Sequence, residues 1–187
     1  MRLWITTLLL LALTTININS MADYNKLIPI IKKYEGGWAG NIDGKQCTNQ
    51  GITLETYRKY FGRQKTCKEL RGITNAEWSY IFKEGYWNRW QADSIENQAI
   101  ANLLVDWVFT SGVYGIRYPQ GVLGVKVDGK VGPKTLAAIN NHPDKKHLFQ
   151  QLWERRKKHF EAIANNNKGK KKFLMGWLNR LSGFQFE

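Results

Sequence analysis

The chain has 187 residues, of which 28 are Lys or Arg and 15 are Asp or Glu, so its formal net charge is +13. Apolar residues make up 43% of the chain and charged residues 23%, a composition that excludes a disordered or collagen-like protein and permits one or two domains with a hydrophobic core. The excess of positive charge favours an anionic polymer or surface as partner.

Residues 1–22 have the pattern of a targeting peptide. A positive residue near the N-terminus is followed by an apolar run from Leu3 to Leu13, a polar stretch, and small residues at Ser20 and Ala22, where a signal peptidase would cleave. The apolar run is short for a bilayer span. We therefore expect an exported protein, periplasmic or extracellular. A short membrane anchor and a translation start at Met21 are the alternatives.

Helical periodicity and capping residues predict a mainly α protein. The first helix is expected from Tyr24 to Tyr34, with Pro29 inside it, and it ends before Gly36 and Gly37. Evidence for strands is confined to a small hairpin within residues 38–52.

Two further helices are marked by their caps. Thr53 is expected to cap a helix over residues 54–61 that ends at Gly62. Thr74 and Glu77 have the spacing of a capping box and open the next helix.

The middle of the chain contains a long, nearly all-apolar helix. Ser94 is expected to cap it, and it runs from Ile95 to about Thr110, so we predict that it is the buried helix of the fold. The interval from Gly112 to Pro133 is rich in glycine and predicted turns, and Pro133 suits the first turn of a short helix.

The C-terminal part is basic and helical. Asp144 opens a long amphipathic helix, residues 165–172 are expected to form a polar basic loop, and a short terminal helix contains Trp177 and Leu181. From Lys145 onward there are 11 Lys and Arg against 3 acids, so most of the positive excess lies here.

The chain has two cysteines, Cys47 and Cys67. In an exported protein they are candidates to form a disulfide, which would contribute about 3 kcal/mol in the loop-entropy model; the alternative is two separate thiols. The three histidines lie far from both cysteines in sequence, so neither a metal nor another cofactor is expected.

The segment Glu35-Gly36-Gly37-Trp38 is the first that indicates a reaction. An acid at the end of an apolar helix, directly before two glycines, can face a cleft lined by aromatic groups. A carboxyl held against apolar surface has a raised pKa and stays protonated, so it can donate a proton to a glycosidic oxygen. Glu35 is therefore the candidate general acid. The alternative is a surface glutamate in the last turn of a helix.

A second polar group is expected on the following turn or hairpin, where it would place the water that attacks the sugar. Asp43 and Thr48 are the candidates. Asp43 also suits a turn, because glycine follows it. The Thr48 hydroxyl alternatively bonds a nearby backbone amide. Thr53 is interpreted as a helix cap rather than as a catalytic group.

Glu35-Gly36-Gly37-Trp38, followed by Thr48-Asn49-Gln50-Gly51-Ile52-Thr53, resembles the signature of the glycoside hydrolase 108 family. Members of that family are lysozyme-like N-acetylmuramidases of bacteria and their phages. The essential acid of the family is the glutamate of this motif, which implies Glu35. The aromatic residue after the glycines is usually Tyr and is Trp38 here, and the family's Asp-Gly-Gly turn is Asp43-Gly44-Lys45.

Three later segments resemble the predicted peptidoglycan-binding domain that commonly follows in this family: residues 106–112, 120–123 and 127–136. The resemblance implies a lysozyme-like helical catalytic region with a small hairpin or loop, packed with a helical peptidoglycan-binding region. The expected division is a signal peptide over 1–22, a muramidase-like catalytic region over 23–110, and a peptidoglycan-binding region with basic C-terminal helices over 111–187.

Three other residues are candidates for substrate contact. Asp106 is an acid inside the apolar helix, so it needs either a partner, such as a Lys, an Arg or a backbone amide, or a position lining the substrate groove. Trp38 and Trp87 belong to a group of aromatic residues near the candidate cleft, and their flat faces suit sugar rings. For both tryptophans the alternative is core packing.

These patterns predict an exported muramidase that cleaves the peptidoglycan glycan strand between N-acetylmuramic acid and N-acetylglucosamine, acting as a monomer on the anionic cell envelope. One alternative is a non-catalytic wall-binding module. Another is a cationic membrane-active protein, because residues 145–163 have a basic and an apolar face. A nucleic-acid partner is not expected, because no recognised binding motif accompanies the charge.

Overall fold

The structure is a computed structural model that describes residues 21–41 and 43–186. The expected targeting segment lies outside these residues, apart from Met21 and Ala22. The helices of the described part are α1 Tyr24–Tyr34, α2 Leu54–Phe61, α3 Cys67–Arg71, α4 Asn75–Phe82, α5 Gln98–Ser111, α6 Tyr114–Val122, α7 Pro133–Asn140, α8 Lys145–Asn166 and α9 Leu174–Ser182. This confirms a mainly α fold. In that part of the chain, no helix is long and apolar enough to span a bilayer.

Local signals placed most helix ends correctly. Thr53 Oγ1 accepts a hydrogen bond from the Thr56 amide and caps α2. The capping box at the start of α4 is complete, since the Thr74 and Glu77 side chains each accept a hydrogen bond from the other's amide. These ends were predictable because a cap satisfies amides only two or three residues away.

The predicted start of the buried helix is wrong. Asn97, not Ser94, caps α5, because its Oδ1 accepts a hydrogen bond from the Ile100 amide at 2.9 Å. Ser94 instead ends a 3₁₀ turn over Ala92–Ser94, and its carbonyl accepts a hydrogen bond from Asn140 Nδ2. The two candidate caps are three residues apart, and packing against α7 decides between them.

Three other stretches differ from their predictions. Helix α3, which opens with its own capping box at Thr66, was not predicted. The glycine-rich interval that was expected to form turns contains α6. Within the expected basic loop, α8 continues to Asn166 and a 3₁₀ turn follows over Lys168–Phe173.

Helix α6 packs closely on α5 at Gly115. A Cβ on this glycine would lie 2.4 Å from the Val108 amide nitrogen, so only glycine permits the approach. Gln120, near the end of α6, holds the following turn: its side chain donates to Asp128 Oδ1 and accepts from the Gly129 amide. The close packing of α6 on α5 at Gly115 therefore outweighs the weak helix propensity of the glycines in this stretch.

The strands are β1 Ala39–Gly40, β2 Cys47–Asn49 and β3 Ile52–Thr53, which pair antiparallel in that order. Thr48 stands opposite Ala39 on one side and Thr53 on the other. A disulfide between Cys47 and Cys67, with an S–S distance of 2.10 Å, joins β2 to α3. The hairpin is therefore attached covalently to the helix that follows it.

One hydrophobic core contains residues from both halves of the chain. Ile31 of α1, Leu104 of α5, Leu152 of α8 and Leu181 of α9 belong to the same cluster, and each is 0% exposed. Helix α5 lies at the centre of this core, since every side chain from Ile100 to Val108 is buried. The expected regions 23–110 and 111–187 are therefore packed together.

The apolar side of α8 lies inside this core. Leu148, Leu152 and Phe160 are all at most 4% exposed. A membrane-active amphipathic helix needs its apolar face free to insert among lipids. In the folded protein that face of α8 is already covered, which removes the structural basis of the membrane-active alternative for this helix.

Candidate active site

Glu35 lies at the end of α1, where the backbone leaves the helix in an extended conformation. Its side chain is 10% exposed and lines a cavity of about 410 Å³. The other lining residues are Gly51, Phe109, Thr110, Ser111, Phe160, Ile163, Lys170, Trp177 and Arg180. The candidate acid is therefore shielded from most of the solvent and still open to a ligand.

Gly51 leaves the space that the Glu35 carboxyl occupies. Its φ angle is +76°, which an L-residue with a side chain rarely adopts. A Cβ at this position would lie 2.2 Å from Glu35 Oε2 and 2.6 Å from Phe109 Cζ. The glycine of the Gly51-Ile52-Thr53 motif is thus needed for both the turn and the seating of the acid.

Arg180, from the C-terminal helix α9, contacts the candidate acid directly. Its Nη1 donates to Glu35 Oε1 at 2.7 Å. The same guanidinium donates through Nε and Nη2 to Asp106, with a shortest distance of 2.5 Å to Oδ1. One arginine therefore connects the acid of α1 with the buried aspartate of α5.

Asp106 is the anchor of this network. It is 0% exposed and also accepts a hydrogen bond from Arg156 Nη2 at 2.5 Å. Burial by itself would raise the pKa of the Asp106 carboxyl, but the charges of Arg156 and Arg180 hold that pKa below its ordinary value. Asp106 is therefore a charged residue that fixes two arginines.

The pKa of Glu35 is raised above its ordinary value. Burial is the largest cause, because it disfavours the carboxylate. The positive charge of Arg180 lowers the pKa and the negative charge of Asp106 raises it. The net shift is upward, towards the protonated form that a general acid requires.

A second, larger cavity lies beside the hairpin. This open groove of about 1290 Å³ is lined by Thr48 and Thr53 and by the start of α2. Its charged lining residues are Lys45, Glu55, Arg58, Lys59 and Arg63. The groove is therefore mostly cationic, which suits an anionic ligand.

Thr48 and Asp43, the two residues predicted to place the attacking water, do not line the cavity that contains Glu35. Thr48 lines the groove beside the hairpin, whereas Glu35 lines the smaller cavity. Asp43 lies exposed in the turn between β1 and β2, where its amide donates to Asn41 Oδ1, and it lines neither of these two spaces. A role of either residue in placing water stays a prediction.

Two of the residues predicted to contact substrate are fully buried. Trp87 is 0% exposed, and its Nε1 donates to Asp93 Oδ1. Asp106 is equally buried and forms ion pairs with two arginines. It therefore has the charged partner that the sequence required and does not line a substrate groove. Trp38 is half-buried beside the hairpin, and its Nε1 donates to the Gly40 carbonyl. Contact of Trp38 with substrate stays a prediction.

Sequence reasoning missed Arg180, Trp177 and Lys170 as residues of this cavity. Arg180 is one of many basic residues after Lys145, and nothing in its local pattern distinguishes it. The usable signal was Asp106, because an acid in a buried helix demands a cation. That signal predicts that a partner exists without saying which arginine it is.

Comparisons with known proteins agree with this arrangement. The family model described as Glycosyl hydrolase 108 matches residues 28–112, and the model described as Predicted Peptidoglycan domain matches residues 114–182. The solved structure of SagA from Brucella abortus superposes with a TM-score of 0.71 and 28% identity over 84% of this chain and 88% of that chain. The comparison with curated proteins finds no match. Both parts of the resemblance seen in the motifs are confirmed, in the expected order.

Proposed function

The chain carries a glycosyl hydrolase 108 domain followed by a predicted peptidoglycan domain, and from this premise we propose that it is an N-acetylmuramidase. The two domains support a hydrolase that acts on peptidoglycan. The finer proposal is that it cleaves the glycan strand between N-acetylmuramic acid and N-acetylglucosamine, with Glu35 as general acid.

The observation that carries the proposal is the position of the Glu35 carboxyl, which is 10% exposed and lines the cavity together with Arg180. Burial raises the pKa of the carboxyl, which favours the protonated form that can donate to the glycosidic oxygen as the bond to the anomeric carbon breaks. Water then adds to that carbon, and the proton it releases restores the acid. Arg180 stabilises the carboxylate that exists between these two steps, since its Nη1 is 2.7 Å from Oε1.

The walls of the cavity fit a sugar. Trp177 is half-buried and lines the space that Glu35 faces, and the buried Phe160 packs against it with ring centroids 5.5 Å apart. Aromatic faces are the usual apolar surface of a ligand site. We infer that a sugar ring packed on Trp177 shares this cavity with the acid.

The test is hydrolysis of purified peptidoglycan by the wild type and by Glu35→Gln. We expect the substitution to reduce turbidity clearing at least a hundredfold, because the amide has no acidic proton to donate. Glu84→Gln is the matched control, since Glu84 is exposed on the surface and should retain wild-type clearing. Equal clearing by wild type and Glu35→Gln would remove Glu35 from the mechanism.

Peptidoglycan lies outside the cytoplasmic membrane, so we propose that the protein acts there. The targeting pattern of residues 1–22 supports export. A non-catalytic wall-binding protein would have no need for a buried acid held by an arginine. Mass spectrometry of the products from defined muropeptides distinguishes the two, because a binder produces no new reducing ends.

A further inference from the structure

The rim of the Glu35 cavity carries a positive charge that catalysis does not use. Lys170, in the 3₁₀ turn over Lys168–Phe173, lines the cavity together with Glu35 and Trp177. Its backbone amide donates to the Asn167 carbonyl, which fixes the turn. Among residues 21–41 and 43–186, the ion pairs do not include Lys170. Within this part of the chain, no acid side chain competes with a ligand for its ammonium group.

The neighbouring lysines do not share this position. Lys168, Lys171 and Lys172 belong to the same turn, but none of them lines the cavity. The Lys172 ammonium lies over the Phe173 ring, 5.1 Å from its centroid. Lys170 is thus distinguished from its neighbours by lining the cavity and not by its residue type.

The cavity consequently presents three different chemistries to one ligand. Glu35 and Arg180 are the reacting end, Trp177 is an apolar wall, and Lys170 is a cation at the rim. A sugar that carries only neutral substituents uses the first two. A sugar whose substituent ends in a carboxylate uses all three, because an ammonium group pairs with it.

We propose that Lys170 recognises a carboxylate carried by the substituent of the muramic acid residue, and so makes the cavity prefer peptidoglycan over a neutral polymer of N-acetylglucosamine. This inference rests on the proposed muramidase function. The carboxylate comes either from the stem peptide or, where the peptide has been removed, from the lactyl group of the sugar itself.

The experiment compares three soluble substrates: glycan chains with stem peptides, the same chains stripped by an amidase, and chitooligosaccharides. We expect Lys170→Gln to lower kcat/KM about two- to fivefold on a carboxylate-bearing substrate, mainly through KM, since one partly solvated ion pair contributes up to about 1 kcal/mol, which is about fivefold. Lys171→Gln is the matched control and keeps the wild-type ratio between substrates. A lower kcat/KM on the stripped chains identifies the lactyl carboxylate as the group that is recognised. A lower kcat/KM on the peptide-bearing chains only identifies the stem peptide.

The same discrimination is measured as binding, in the Glu35→Gln background, by calorimetry with each of the three ligands. Here Lys170→Gln should weaken binding of carboxylate-bearing glycan by the same factor. The proposal is overturned if the substitution lowers affinity equally for all three ligands, or changes none. Failure of the muramidase function has a different signature, because the wild type would then cleave none of the substrates whatever Lys170 does.

Discussion

The Glu35 carboxyl is held between two opposing influences. Burial raises its pKa, and the guanidinium of Arg180 lowers it. With burial alone, the carboxylate left after proton transfer would be destabilised. With a strong ion pair alone, the carboxyl would stay ionised and could not act as an acid. The negative charge of Asp106, which shares Arg180 with Glu35, raises the pKa of Glu35 again.

The first prediction concerns Arg180→Met. Removing the positive charge should raise the pKa of Glu35 further, because the largest lowering influence is lost. A general acid is active while protonated, so activity disappears as pH rises through that pKa. The alkaline limb of the kcat/KM profile should therefore move to higher pH.

Arg180→Lys is the control for that measurement, since it retains the charge and should keep the limb near its wild-type position. Asp106 keeps Arg156 in both variants, so the fold is expected to survive, and circular dichroism checks this. A limb that stays in place or moves to lower pH in Arg180→Met would contradict the assignment of Arg180.

The second prediction concerns Gly51→Ala. The positive φ costs about 1–2 kcal/mol for an L-residue, and the new Cβ would collide with Glu35 and Phe109. Together these should destabilise the protein by about 2–4 kcal/mol and displace the acid, which lowers kcat. Urea unfolding and turbidity clearing measure the two effects. Gly121→Ala, whose Cβ would meet open space in α6, should be neutral or slightly stabilising; equal effects of both substitutions would refute the collision.

At the scale of elements, helix ends show where local information is sufficient and where it fails. Caps predicted from sequence were right at Thr53, Thr74 and Asp144, where each side chain accepts a hydrogen bond from a nearby amide. At α5 two capping residues compete, and the contacts of Asn140 with the Ser94 carbonyl and the Glu96 amide fix the chain between them.

The third prediction uses that pair of residues. Asn97→Ala should destabilise the protein by about 1 kcal/mol, because the Ile100 amide loses its acceptor at the start of the central helix. Ser94→Ala should change the free energy of unfolding by no more than about 0.5 kcal/mol. Thermal unfolding of both variants measures the difference, and a larger loss in Ser94→Ala would restore the sequence-based assignment.

At the scale of the whole molecule, the two regions that match family models share one hydrophobic core. The glycosyl hydrolase match ends at residue 112, and the predicted peptidoglycan domain begins at residue 114. Yet Arg180 from the second contacts Glu35 of the first, and Leu152 and Leu181 share a cluster with Ile31 and Leu104. The second domain therefore completes the candidate site as well as any binding surface.

The fourth prediction follows from this shared core. Full-length protein should unfold in a single cooperative transition, with calorimetric and van't Hoff enthalpies equal, because neither part retains a closed core without the other. Differential scanning calorimetry is the measurement. Two resolved transitions would instead show that residues 28–112 and 114–182 are independent units.

Short-range sequence patterns were sufficient to predict most helix caps, the hairpin and the candidate acid. Caps, turns and helical periodicity depend on contacts within a few residues, so the pattern around Thr53 or Thr74 is sufficient to place a helix. Glu35 was predicted to be the acid for the same reason, since its motif and the following Thr48-to-Thr53 segment are short and continuous, and its catalytic role stays a prediction.

Only the tertiary structure decided which residues complete the site. Arg180 reaches Glu35 across 145 residues of sequence, and Asp106 pairs with Arg156 across 50. The burial of Trp87 was likewise outside the reach of spacing, because aromatic residues suit a core and a sugar site equally. The local sequence pattern indicates which interactions a side chain is able to make. The packing of α1, α5, α8 and α9 around one core determines which side chains come into contact.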